Sequence, residues 1–305
     1  MQQESELGQS VLKGVSRSFY LTIRLLPRLM REPVSLGYLL ARASDTIADT
    51  AEVPAQLRHE CLNLFLTAMR DPEARKKLLD KMNQEFLEYQ TNEKERLLLE
   101  RLGEVFSWYD SVWEWSWNEI AAVMEHIVAG QMSDIQRFGI DGEDRLATAD
   151  ELETYCFQVA GSVGEFWTRV GFQTDHRFSG IEKEDLIKLG ISYGKGLQLV
   201  NILRDIPEDY ANGRSYLPVE GALSHDQLLE EAAIWRAKAR KSIKDGLKYA
   251  KSLRGKRARM ATVLPALIAL KTLDLLDEAD WDQLYDGVKV TRKEVRKCIW
   301  QALLF

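Results

Sequence analysis

The apolar residues of this chain recur with a helical period. Leu36, Leu39, Leu40, Ala43 and Ile47 fall at three- and four-residue steps, the spacing that puts side chains on one face of an α-helix. The same pattern runs through 84–102, 118–137, 151–171, 182–204, 226–252, 258–276 and 292–304. Start signals agree with it. Thr148-x-x-Glu151, Ser179-x-x-Glu182, Ser224-x-x-Gln227 and Thr291-x-x-Glu294 fit the capping box, in which two orphan backbone donors are satisfied reciprocally. No alternating run reads as a strand, and no glycine-rich loop joins a strand to a helix. Gly194 and Gly196 resemble no phosphate loop and read as sites of close helix packing. The pattern predicts an all-α fold. The connectors near 139–149 and 173–181 are short and polar, and no low-complexity linker intervenes, so the reading is one domain over 1–305. Some helices, as at Val159 to Val170, are apolar on more than one side and are expected to be central.

Composition narrows the function classes. The chain has 305 residues, 45% of them hydrophobic, enough for a sizeable core. The formal charge of −6 argues against nucleic acid as a partner, because phosphate backbones demand clustered positive charge. Cys61, Cys156 and Cys298 are far apart, as are the four histidines. A disulfide framework and a Cys- or His-based metal site are therefore not expected, and a reducing cytoplasm is. No stretch approaches the ~20 apolar residues that span a bilayer. Met1 to Gln9 is acidic and polar, unlike a secretory signal. Peripheral membrane contact stays open.

Two acidic motifs carry the chemistry. Asp45-Thr-Ile-Ala-Asp49 places two carboxylates one helical turn apart, where they repel unless a cation lies between them. Asn201-Ile-Leu-Arg204-Asp205-Ile-Pro-Glu208-Asp209 repeats the spacing. Each motif ends a strongly apolar helical stretch, Leu36–Ile47 or Leu186–Leu203. Two such pairs facing each other across a helix bundle would hold several Mg²⁺ ions, which favour carboxylate and phosphate oxygens. Arg17, Arg42, Arg204 and Arg214 flank the motifs and offer the planar fork that fits phosphate. Each of these arginines could equally pair with a neighbouring aspartate. Pro207 is expected to kink the second motif, which loosens its four-residue geometry.

The combined motifs resemble the squalene/phytoene synthase family. The residues are Ser16-Arg-Ser-Phe19, Tyr38-x-x-x-Arg42-x-x-Asp45-x-x-x-Asp49, Tyr155-Cys-x-x-Val-Ala-Gly-x-Val-Gly164, Gln198-x-x-Asn201-Ile-x-Arg204-Asp205-x-x-x-Asp209 and Gly213-Arg214-x-Tyr-Leu-Pro218. They occur in the family's order over roughly 12–300. The resemblance implies an all-α isoprenoid synthase fold with a central apolar cavity. It implies head-to-head joining of two prenyl diphosphates, with farnesyl diphosphate as the leading substrate. It assigns Asp45, Asp49, Asp205 and Asp209 to Mg²⁺, for which Mn²⁺ could substitute. Ser16, Arg17, Phe19, Arg42, Arg204 and Arg214 go to the substrate diphosphate, and Tyr38, Tyr155, Gln198 and Asn201 to the reaction centre.

Within the family, Arg42-Ala-x-Asp-Thr-Ile47 and Val288-Lys-Val-Thr-Arg292 look more like squalene synthases, whereas Gly213 to Pro218 looks closer to phytoene synthases. The squalene branch implies NADPH, with Lys289 and Arg292 as its contacts; a helix start with solvated cations is the competing reading. The non-reductive branch would give phytoene, dehydrosqualene or hydroxysqualene. The sequence to Phe305 shows no C-terminal anchor of the kind eukaryotic squalene synthases carry, so the expectation is a bacterial-type soluble form. A non-catalytic assembly protein on the same fold is disfavoured by the retention of all four aspartates. A head-to-tail elongase or cyclase is disfavoured by the other motifs. Contact with downstream isoprenoid enzymes is open. The run Trp108 to Trp117 is expected to be core packing rather than a membrane patch, Lys238 to Arg259 a solvated face, and Cys156 a small core residue.

Overall fold

The computed structural model describes residues 7, 11–16, 19–221 and 223–305, except for the side chains of Phe19 and Leu21. The all-α expectation holds: helices dominate, and the only β-pairings among the described residues are two isolated bridges, Arg145 with Ser215 and Ser179 with Leu253. The chain forms two compact units, one ending at Gly142 and the other starting at Glu143.

The first unit holds α1 (Leu12–Ser16), α2 (Phe19–Leu25), α3 (Arg28–Asp49), α4 (Ala55–Ala68), α5 (Pro72–Lys81), α6 (Glu93–Glu100), α7 (Leu102–Ser111) and α8 (Glu114–Asp134). The centre is α3, which packs on α4, α7 and α8. Its predicted apolar face is buried through Leu36, Leu39, Leu40, Ala43 and Ile47. Its last turn is tied down. Gln90 Nε2 donates to Thr50 Oγ1 at 2.9 Å, and Thr50 Oγ1 donates to the Thr46 carbonyl at 2.7 Å. The Arg58 guanidinium bonds the Ala48 and Val53 carbonyls, a cation placed against the negative end of the helix. The first motif therefore sits on a fixed helix end.

The stretch predicted at 84–102 is broken. A π-turn over Met82–Phe86 closes α5, and Asn92 restarts the chain by accepting from the backbone of Lys94 and Glu95. The tryptophan run divides too. Trp108 and Tyr109 are buried and Trp117 stacks on Tyr109 at 5.5 Å, but Trp113 lies at the break between α7 and α8 and is 74% exposed.

The second unit holds α9 (Ala149–Cys156), α10 (Ser162–Thr174), α11 (Lys183–Arg204), α12 (Ile206–Ala211), α13 (His225–Ser252), α14 (Lys256–Glu278), α15 (Trp281–Tyr285) and α16 (Arg292–Leu304). Here α11 is central and packs on α10, α13 and α14. The stretch predicted at 151–171 is one apolar run interrupted by a π-turn at Phe157–Gly161. Glycine packing is confirmed at atomic level. A Cβ on Gly194 would lie 2.2 Å from the Ala160 carbonyl oxygen, and one on Gly196 would lie 2.7 Å from Ser242 Cβ. Gly164 and Gly190 meet just as closely, so the glycines of the Val-Ala-Gly-x-Val-Gly segment let two helix backbones touch.

Thr148, Ser224 and Thr291 cap their helices, but of these only Thr291 with Glu294 completes the expected reciprocal box. Ser179 does not. Its hydroxyl donates to the Ser252 carbonyl at 3.1 Å and accepts from Ile181 N, so α11 starts only after Glu182. The cations on α13 are more than a solvated face, because Arg236 and Arg240 pair with Asp274 and Asp277 of α14. Cys156 is a buried free thiol, pushed up to about 12 by burial, which suits a packing residue and not a nucleophile.

Candidate active site

In the first unit the candidate residues gather on α3. Tyr38, Arg42, Asp45 and Asp49 follow one another at three- and four-residue steps and share one side of the helix. The Tyr38 hydroxyl donates to the Val15 carbonyl at 3.2 Å, which ties α3 to α1 next to Ser16. Ser16 is buried and its Oγ meets no hydrogen-bond partner. Arg17 lies outside the described residues, as does the Phe19 side chain.

Arg42 bridges two carboxylates. Nη1 donates to Asp45 Oδ2 at 2.6 Å and Nη2 to Glu95 Oε1 at 2.5 Å. Its remaining donor, Nε, is buried without a partner. Asp45 keeps 42% of its side chain in solvent, yet the protein around its carboxyl raises its pKa. Arg42 pulls the other way, Glu95 adds repulsion, and a hydrogen bond from Gln131 favours the charged form. Burial likewise raises Tyr38. Asp49 is exposed one turn further on.

In the second unit α11 presents Gln198, Asn201 and Asp205 at steps of three and four, with Gln198 half-buried and Asn201 exposed. The helix ends at Arg204, whose Nε and Nη2 grip Asp205 at 2.7 and 2.6 Å. Pro207 does not kink a continuous helix. Asp205 is the junction, and Pro207 opens the new helix α12, where its missing N–H costs nothing. Asp209 N still donates to the Asp205 carbonyl at 3.0 Å, so the four-residue step survives the break.

Asp209 is buried and accepts from Arg214 Nε at 2.9 Å. Between them the chain turns through Gly213, whose φ of +72° explains the glycine. The 213–218 segment is clamped. Ser215 N donates to the Asp144 carbonyl, and Leu146 N to the Ser215 carbonyl. Tyr155 stacks on Tyr216 with centroids 4.9 Å apart, and the Arg214 guanidinium lies 5.8 Å from the Tyr216 centroid. Lys289 and Arg292 are both exposed, on either side of Thr291, which caps α16.

Glu95, Gln131 and Tyr216 escaped the sequence reading. Gln131 had a signal: it is the one polar residue in the stripe Ile120, Met124, Ile127, Gln131, Ile135, buried at every position. Tyr216 was inside a quoted motif. Glu95, fifty-three positions from Arg42, had none.

The comparisons fit this geometry. A squalene synthase of Gibberella zeae is 29% identical over 209 residues, covering 68% of this chain and 42% of its own length. One from Schizosaccharomyces pombe is 28% identical over 279 residues, covering 86% of this chain and 57% of its own. The chain thus spans about half the length of these curated relatives. The solved complex of TcSQS with the ligand BPH1237 superposes with a TM-score of 0.79 at 23% identity, covering 99% of this chain and 87% of that one. That likeness defines the class: a helical isoprenoid synthase fold. The sequence model of the family described as squalene/phytoene synthase matches residues 12–294, through both units. The chain belongs to the squalene/phytoene synthase family.

Proposed function

We propose that this chain joins two farnesyl diphosphates head to head through presqualene diphosphate and reduces the product to squalene with NADPH. The observation that carries the reading is that the motif aspartates Asp45, Asp205 and Asp209 are each ion-paired to a motif arginine. Both charge signs that a metal diphosphate needs are present in each unit, each aspartate held against its arginine.

The donor set fits Mg²⁺. Carboxylate oxygens suit a hard cation that takes one or two protein carboxylates and fills its other positions from water and phosphate. Among the described residues no three acidic, His or Cys side chains cluster into a cage. Asp45, Asp49, Asp205 and Asp209 would hold the ions, which supply charge neutralisation to the leaving diphosphate. Arg42, Arg204 and Arg214 hold phosphate oxygens with fixed forks. Tyr155, kept in place by Tyr216, holds or moves a proton at its hydroxyl. Tyr38, Gln198 and Asn201 orient the chains so that C1 of one lies near the double bond of the other. The first bond formation releases pyrophosphate and a proton. Lys289 and Arg292 offer two exposed cations suited to a dinucleotide phosphate; in the second step presqualene diphosphate would lose its remaining diphosphate as pyrophosphate, and NADPH would supply the hydride that ends the step. Work in the cytoplasm, with peripheral contact to a membrane, is part of the proposal because the products are greasy; among the described residues no helix is long and apolar enough to cross a membrane.

A second reading, favoured by the Gly213–Pro218 segment, ends without hydride. The deciding experiment incubates the purified protein with farnesyl diphosphate and Mg²⁺, with and without NADPH, and with geranylgeranyl diphosphate in parallel, and identifies products by mass spectrometry. Squalene formed only with NADPH is the expected result. A C30 or C40 product without NADPH would replace the reductive reading, and no product from either diphosphate would overturn both.

A further inference from the structure

The surroundings of Asp45 leave two polar atoms without partners. Gln131, on α8, is 8% exposed. Its carboxamide hydrogen-bonds Asp45, and because a carboxylate only accepts, the donor is the NH₂ group. The other end, Oε1, is buried with no partner. Arg42, which holds Asp45 with Nη1, has the same defect at Nε. Buried polar groups are nearly always satisfied, so an acceptor and a donor orphaned around one carboxylate require an account.

The two defects are of opposite sign. Gln131 Oε1 lacks a cation, or a donor such as a polarised water. Arg42 Nε lacks an anion. A hydrated divalent cation carrying a diphosphate brings both: water or metal for Oε1 and a phosphate oxygen for Nε. An apolar side chain at position 131 would have continued the buried stripe of α8 at no cost. A buried amide costs desolvation, of order 1–3 kcal/mol when unpaired, unless a ligand repays it.

We propose that Gln131 is an additional ligand of the Asp45 metal site, its Oε1 binding the cation directly or through one of the cation's waters while its NH₂ orients the Asp45 carboxylate. This rests on the metal–diphosphate reading above and adds a residue that the motifs do not contain.

The test measures Mn²⁺ affinity by electron paramagnetic resonance in the presence of inorganic pyrophosphate, with no prenyl substrate. Gln131→Leu is expected to weaken Mn²⁺ binding roughly tenfold or more, as removal of a supporting group at a metal site does. Gln131→Glu keeps an oxygen but loses the donor to Asp45. If Oε1 serves the metal, Gln131→Glu retains affinity at or above wild type. If Gln131 only props up Asp45 or fills space, Gln131→Glu is at least as impaired as Gln131→Leu, which would overturn the proposal. Should Gln131→Leu fail to give a helical circular dichroism spectrum, Gln131→Glu alone decides. Asp45→Asn separates the two levels. Lost affinity there with wild-type affinity in Gln131→Leu defeats the Gln131 proposal and spares the metal site, whereas unchanged affinity in both defeats the metal site itself.

Discussion

Arg214 Nε donates to Asp209 Oδ1 at 2.9 Å across a turn that Gly213 makes with φ +72°, and the same guanidinium faces the Tyr216 ring that stacks on Tyr155. One side chain thus joins a candidate metal carboxylate to the candidate proton-handling tyrosine. Lysine could supply the charge but neither the fork nor the flat face. Arg214→Lys should therefore lower kcat/KM for farnesyl diphosphate nearly as far as Arg214→Ala does, by about 100-fold, the loss seen on removing one preorganised donor. Steady-state kinetics on both variants check this. Activity in Arg214→Lys within a few fold of wild type would reduce Arg214 to a point charge.

The two acidic motifs make a paired prediction. Asp45→Asn and Asp205→Asn keep shape and remove one charge each, from helices whose packing they do not carry. Turnover should fall by more than about 100-fold in each, since even supporting residues at metal sites cost up to that much. Circular dichroism and thermal melting should stay close to wild type. Near-normal turnover in both would sink the metal assignment.

Much of this organisation can be read along the chain, and the failures have physical causes. The helices at 183–204, 225–252 and 292–304 were predicted to within a residue or two, because burial is periodic in all three and side-chain caps fix the starts of the last two. The stretch 151–171 hid a π-turn, since one inserted residue leaves apolar faces roughly aligned. Ser179 looked like a cap because sequence cannot reveal that its hydroxyl is engaged by Ser252. The aspartates and arginines were readable through their spacing. Glu95 was not, because the loop that brings it to Arg42 leaves no periodic trace. Pro207 was expected to kink the second motif, whereas the helix ends before it at Arg204 and the proline lies in the first turn of the next one. That the Asp205–Asp209 backbone bond would survive the break required the structure.

Two glycines should respond differently to alanine. Gly194→Ala forces a Cβ to within 2.2 Å of a backbone oxygen that cannot rotate away. Helices α11 and α9–α10 must separate there, at a cost near the top of the usual overpacking range, about 3 kcal/mol. Gly213→Ala meets nothing within 4 Å and is penalised only by its positive φ, about 1 kcal/mol. Thermal melting should drop by roughly 5–10 °C in the first and by a few degrees in the second. Equal shifts would mean that close helix contact does not govern this site.

Variants at Lys289 and Arg292 would test the two halves of the proposed reaction separately. Both lie exposed beside the Thr291–Glu294 capping box, far along the chain from every motif aspartate. If they hold the dinucleotide, replacing both with alanine leaves the first condensation untouched, because that step uses no hydride. The variant should form presqualene diphosphate at the wild-type rate and need roughly tenfold more NADPH for half-maximal squalene, equivalent to ~1.4 kcal/mol of lost binding. The cap itself, made by Thr291 and Glu294, survives the substitution, so a folding defect does not confuse the outcome. Measuring both products against NADPH concentration checks this. An unchanged NADPH requirement would return the two cations to the role of solvated charges at a helix start, and a slowed first step would place them at the diphosphates instead.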